Sequence, residues 1–165
     1  MELYDKYYSQ IFGYVLRRTA NIVIAQDVTS QTFIKALDNL GHFQWRGVPF
    51  SSWLFKIASN EIANNYNKQK RRQRLITNSY RDMAGANPSR ETELAQAEET
   101  LIQHEEFVTI HQSIAKLPLK YQEVISLRYF EHKQIKEIGE TLGKSEGTVK
   151  SLLHRALKKL RVLME

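Results

Sequence analysis

The stretch from Lys133 to Leu163, KQIKEIGETLGKSEGTVKSLLHRALKKLRVL, restricts what this chain can fold into more than any other. Ile135, Ile138 and Leu142 recur at helical spacing and predict a short helix with one apolar face. Gly143 follows, where a left-handed residue would end that helix. Ser145 can cap a second helix, with Glu146 favourably placed in its first turn. That helix carries Val149, Leu152, Leu153, Ala156, Leu157 and Leu160 on one stripe, and Lys150, Ser151, His154, Arg155, Lys158, Lys159 and Arg161 opposite. A short helix, a glycine turn and a longer basic helix make a helix-turn-helix, whose second helix enters the DNA major groove. A plain helical hairpin with a solvated basic face is the alternative. Gly139 sits inside the first helix, where it costs about 1 kcal/mol against Ala. It is expected to let the second helix pack closely.

The rest of the chain is read for what could accompany such a motif. With 165 residues there is room for one domain or two small ones. Only 7 Gly and 3 Pro punctuate it, so an all-α protein is expected. No apolar run approaches about 18 residues, so no membrane-inserted segment is expected. Met1 leads into ELYDKYY, which lacks a signal-peptide pattern. The absence of Cys excludes a disulfide framework and a thiolate metal site. These features suit the cytoplasm. Charge is segmented: residues 1–75 carry a net +6, residues 76–110 a net −5 and residues 111–165 a net +5. Two basic blocks flanking an acidic one point to a polyanionic partner, nucleic acid before membrane.

Taken in order, residues 2–20 read as a helix, with Leu3, Tyr7, Ile11, Tyr14 and Val15 in helical register. Asn21 is a candidate cap for a second helix over roughly 22–40. Val28, Phe33, Leu37 and Leu40 are its expected core face, and Asp27, Gln31, Lys35 and Asp38 its polar face. Residues 41–50, GHFQWRGVPF, predict a loop. Aromatic rings beside Arg46 are what single-stranded bases stack on, whereas Trp45 and Phe50 could instead close the end of a core. Residues 51–72 predict a third helix with Trp53, Leu54, Ile57, Ala58 and Ile62 inside. Its other face holds Asn60, Asn64, Asn67 and Lys68. Asn is a poor helix former, so such a cluster suggests that side-chain amides are wanted, and an amide can pair with a base edge. The run Lys68–Arg74 suits phosphate or, equally, a helix C-terminal dipole.

Gly85, Asn87, Pro88 and Ser89, followed by ETELAQAEET, mark a linker, mobile at first and helical further on. About 25 residues could extend to roughly 80 Å at ~3.3 Å each. Phe107, Ile110, Ile114 and Leu117 then predict a helix over 101–117, and Pro118 starts another. Tyr121, Val124, Ile125, Leu127 and Tyr129 are its expected buried side, giving four helices in the C-terminal part. Neither a phosphate-binding glycine loop nor a zinc-binding H-E-x-x-H is present, and the five His are scattered. The chain is therefore not expected to be an enzyme or to hold a metal or cofactor.

This succession resembles the extracytoplasmic-function (ECF) sigma factors of bacterial RNA polymerase, group IV of the sigma-70 family. The resemblance rests on AQDVTSQTFIKAL (25–37), PFSSWLFKIASNEIANNYNKQKRR (49–72), LPLKYQEVISLRYF (117–130) and IGETLGKSEGTVKSLLHRALKKLR (138–161), nearly the whole chain. It implies two small helical domains: sigma domain 2 at 1–75 and sigma domain 4 at 101–165, joined by a flexible acidic linker at 76–100. It further implies binding to core RNA polymerase through its largest and second-largest subunits, to promoter DNA, and to an anti-sigma factor. Asp27, Gln31 and Phe33 fall in the polymerase-docking stretch. The family commonly has an acidic residue after the glutamine there, and here Ser30 and Gln31 stand in place of the usual pair. Trp45, Arg46, Gly47, Asn60, Asn64 and Lys68 fall where the family reads the melted −10 element. Ser145, Thr148, Lys150, Ser151, His154, Arg155 and Lys158 fall where it reads the −35 duplex. A self-contained helix-turn-helix regulator, acting without polymerase, is the alternative.

Overall fold

A computed structural model describes residues 2–79 and 105–165, and every regular element among these is a helix. In the N-terminal unit, α1 spans Glu2–Thr19, α2 Ile22–Asp38 and α3 Phe50–Ser79. The amide oxygen of Asn21 accepts from the Ile24 N–H at 2.9 Å, so the predicted cap starts α2. Ile11, Tyr14, Val15, Ala25, Val28, Phe33, Leu54, Phe55, Ala58 and Ile62 close the three helices on one core. Two expectations fail at the edges. Leu37 and Leu40, expected on the core face, are exposed. Helix α3 runs on to Ser79, beyond the expected end at 72 and into the segment read as linker. The remainder of that linker, the Gly85–Ser89 turn and the acidic run after it, lies outside the described residues.

The C-terminal unit has α4 at Glu105–Lys116, α5 at Leu119–Ile125, α6 at Ile135–Leu142 and α7 at Glu146–Met164. The Phe107 side chain and residues 101–104 lie outside what is described. Pro118 caps α5 instead of starting it. The amide of Gln122 donates to the carbonyls of Ala115 and Leu117 at 3.1 and 2.8 Å, tying α5 to the end of α4. Ser126–Phe130 then widens into a π-helical turn. The wider turn changes the register, so Leu127 is buried while Tyr129 turns out to solvent, against expectation. His132 next adopts φ 53°, a left-handed conformation costly for a residue with a Cβ, and Lys133 follows it inward.

The two units touch, and charged side chains take part in the contact. Arg17 pairs with Glu131 and lies over the Phe130 ring at 5.3 Å. Arg18 reaches Glu123 at 3.6 Å. Lys133 donates to the Ser51 hydroxyl at 2.7 Å and lies 5.4 Å from the Phe55 ring centre.

Candidate nucleic-acid interface

The helix-turn-helix is assembled by local chemistry. The Glu137 carboxylate accepts from the Gln134 N–H at 2.7 Å and fixes the start of α6. Gly143 takes φ 65° and ends it. Gly139 matters for a nearer neighbour than expected: a Cβ there would stand 2.6 Å from the Lys144 carbonyl oxygen and only 3.9 Å from Val149. It admits the turn more than the second helix. The Ser145 hydroxyl then accepts from the Thr148 N–H at 3.2 Å and contacts the Thr148 hydroxyl at 2.9 Å. Val149, Leu152, Leu153 and Ala156 anchor α7, whereas Leu157, expected on that stripe, is 41% exposed. Ser145, Thr148, Lys150, Ser151, His154, Arg155 and Lys158 are all exposed. Ser145 and Thr148 are engaged in capping, and the other five present the basic face.

The second surface lies in the N-terminal unit. Lys35, Asn39 and His42 from the end of α2 and the turn after it face Trp53, Ile57, Asn60, Glu61 and Asn64 of α3 across a cleft of about 580 Å³. Trp53, Ile57, Asn60 and Asn64 share one face of α3 by helical spacing. Glu61 would repel a phosphate, but it is paired with Lys35 and also accepts from the Asn64 amide at 3.3 Å. The cleft thus offers an indole, three amides and an acid whose charge is balanced. Lys68 lies one turn beyond Asn64 on the exposed side of α3.

The loop differs from expectation. Trp45 is 71% exposed and lines neither this cleft nor its neighbour, so it is not a lid on the core. The ring that meets the amides is Trp53, which sequence reasoning placed inside the protein. Phe43, Phe50 and Trp53 pack together with ring centres 5.1–5.3 Å apart, and Phe50 also meets Tyr7 at 5.7 Å. Phe50 is therefore the residue closing the core end. Gly47 holds φ 75° and reverses the loop between Arg46 and Val48. Arg46 lines a second cleft of about 330 Å³ with Phe43, Trp53 and Lys56, whose far wall is Glu140 and Thr141 of α6. Lys35, Asn39, His42 and Trp53 escaped the sequence reading. The signal available for Trp53 was its spacing of two helical turns from Asn60.

A third surface is the outer face of α2. Asp27 and Gln31 are exposed there beside the exposed apolar Val23, Ile34 and Leu37. Phe33 is 7% exposed, as expected of the core face of α2, and packs against Tyr4 at 4.9 Å beneath that surface. No helix among the described residues is long and apolar enough to cross a membrane.

One helical unit carrying a helix-turn-helix and another carrying an aromatic, amide-lined cleft place this molecule in the two-domain helical class of DNA-binding proteins. Residues 3–72 match the family described as Sigma-70 region 2, and residues 107–160 match Sigma-70, region 4. The chain is 32% identical to the ECF RNA polymerase sigma factor SigW of Bacillus subtilis, spanning 97% of this chain and 86% of that protein. It is 31% identical to the RNA polymerase sigma factor YlaC of the same organism, spanning 97% and 88%. The ECF RNA polymerase sigma factor BldN of Streptomyces coelicolor is 30% identical over 98% of this chain, which spans 59% of BldN's length. The chain belongs to the ECF sigma factors of the sigma-70 family. Its fold is that of the sigma factor RpoE solved with the anti-sigma factor NepR from Bartonella quintana, with TM-score 0.69, 19% identity, and 99% and 94% of the two chains covered. It is also that of CnrH solved with the cytosolic domain of CnrY, with TM-score 0.67, 21% identity, and 99% and 85% covered.

Proposed function

We propose that this chain is a promoter-specificity subunit, which binds core RNA polymerase and directs it to promoters by reading the −35 element as duplex and capturing the −10 element as single strand. It is not a catalyst in this reading, needs no cofactor, and works in the cytoplasm. The observation that carries it is the cleft of Trp53, Asn60 and Asn64 in the same chain as an exposed basic recognition helix. A duplex reader acting alone has no use for an indole-and-amide cleft. A protein that opens DNA does, since each unstacked base held on an aromatic ring returns about 1–3 kcal/mol.

The roles follow from chemistry. Lys150, Ser151, His154 and Arg155 read or grip the major groove, and Lys158 holds phosphate. Trp53 stacks an extruded base while Asn60 and Asn64 hydrogen-bond its edge, with Arg46, Lys56 and Lys68 along the backbone path. Trp45 and Gly47 shape the loop's outer rim. Asp27 and Gln31 contact the polymerase largest subunit, and the C-terminal unit engages the second-largest. The sigma factor RpoE of this fold was solved bound to the anti-sigma factor NepR, and an anti-sigma factor is proposed here too. The domain limits proposed are 1–75 and 101–165 with 76–100 between, α3 carrying the first domain's last helix to Ser79.

Purified core polymerase supplied with this chain should transcribe selectively from one promoter class, and Asp27→Arg should abolish capture of core without changing helicity. A chain that binds its duplex site tightly alone, and leaves core polymerase unselective, would instead be a self-contained regulator.

A further inference from the structure

We infer that the free chain latches itself shut through an ionic clasp between its two DNA-binding units, and that the closed form shields the strand-capture loop. Arg17 and Arg18, in the last turn of α1, meet Glu131 and Glu123 across the contact. Arg18 is 4% exposed. Within its own unit it meets only neutral groups, the Tyr14 hydroxyl at 2.9 Å and the Ser59 hydroxyl at 3.3 Å; its carboxylate, Glu123, comes from the other. Lys133 is 7% exposed and repeats the pattern in reverse, a cation of the C-terminal unit seated on Ser51 and the Phe55 ring. Arg17 and Arg18 thus reach carboxylates, and Lys133 its buried hydroxyl and ring, across the contact between the units.

A clasp of this composition opens readily. Parting the units returns the charges to water, and recovered hydration offsets much of the lost attraction. Contacts between domains of one chain are reversible by default unless large and apolar. Added salt weakens the exposed part of the attraction.

Closure has a consequence at the loop, which rests on the reading of that loop as the strand-capture site. Trp53 borders both clefts, and the second is walled by Glu140 and Thr141 of α6 opposite Arg46 and Lys56. A strand leaving Trp53 toward Arg46 and Lys56 would therefore meet a carboxylate where its phosphates need cations. The closed chain holds its own acid over its phosphate path.

The chain has no Cys, so spin labels at Asp38→Cys and Lys136→Cys report the distance between units in the full chain. At low salt the labelled parent should give one short, narrow distance population. Glu131→Lys should broaden and lengthen it, and adding Arg17→Glu should restore it. Restoration also proves that the single variant had not merely misfolded. A labelled thymidine- and adenosine-rich decanucleotide, single-stranded, should bind Glu131→Lys several-fold tighter than the parent, with the reciprocal swap, equal in net charge to the parent, returning to parental affinity. A parental population already broad, or one that Glu131→Lys leaves unmoved, overturns the clasp. Distances that move while oligonucleotide affinity stays constant overturn the shielding. If Trp53→Ala in the open variant leaves affinity unchanged, the capture reading itself falls, while the clasp stands on the distances.

Discussion

The two surfaces proposed to meet DNA in this sigma factor are made in opposite ways. The helix-turn-helix is written in neighbours: Glu137 to Gln134, Gly143 in a left-handed turn, Ser145 to Thr148. The cleft of the N-terminal unit is written across helices, with Lys35 and Asn39 of α2 brought to Trp53, Asn60 and Glu61 of α3. A surface of the first kind is broken by one change in backbone geometry. A surface of the second kind tolerates such changes and is broken by losing a side chain that touches the base.

The largest expected effect separates them at once. Gly139→Ala forces a Cβ to within 2.6 Å of the Lys144 carbonyl. The helix propensity it gains, about 1 kcal/mol, offsets part of an overpacking cost of roughly 1–3 kcal/mol, for a net loss of up to about 2 kcal/mol. Unfolding of the C-terminal unit should come at lower denaturant and duplex binding should fall, with single-strand binding unchanged. A neutral Gly139→Ala would mean the turn relaxes, and the local account of the motif would be wrong.

Arg155→Ala sharpens the comparison from the duplex side. A bidentate base contact predicts a loss of about 1–3 kcal/mol at one −35 position and relaxed specificity there, whereas a phosphate contact weakens all sequences alike. A binding matrix over single base changes tells the two apart. Ser145→Ala is smaller and structural. Removal of the cap should cost about 1 kcal/mol of stability, rescued by Ser145→Asp, with sequence preference unchanged.

What could be read from sequence follows the same division. Caps, the glycine turn and the basic stripe of α7 depend on spacing along one strand of chain, so they were visible. Trp53 was not, because spacing places it beside both Ile57 and Asn60, and only the approach of α2 decides which side of the indole is covered. Phe33 was legible as a core-face residue of α2 from its helical spacing, and Tyr4 of α1 is what covers it while its neighbours Asp27 and Gln31 stay exposed. The π-helical turn at Ser126–Phe130 shifted Tyr129 outward, and nothing in its residue types signals the extra width.

The smallest effect concerns the contact between the units. His111 lies against the Phe130 ring at 5.3 Å, and burial, with the Arg17 charge, holds its imidazole below the usual 6.5. Its contribution to the closed form is complete above that ordinary value and is lost as pH falls toward the depressed one. Glu131 and Glu123 act in the opposite sense, since burial raises both carboxyls despite Arg17 and Arg18. That burial favours the fold below the ordinary glutamate value of 4.5 and costs stability as pH rises through the raised ones, a cost that the Arg17 and Arg18 charges partly offset. Mild acidification just below 6.5 should therefore loosen the units through His111, and His111→Gln should flatten that dependence without changing the salt response. An unaltered pH profile in His111→Gln would remove the histidine from the account.

The central claim is that one unit reads closed DNA and the other holds opened DNA. It is tested most directly by transcription with core polymerase from a duplex promoter and from the same promoter with its −10 region pre-melted, comparing parent, Trp53→Ala and Arg155→Ala. Trp53→Ala should lose most activity on the duplex template and regain much of it on the bubble, with −35 binding intact. Arg155→Ala should be impaired on both. If Trp53→Ala loses activity equally on bubble and duplex, and the protein also melts earlier, the indole is a core residue and the capture site is not where this account puts it.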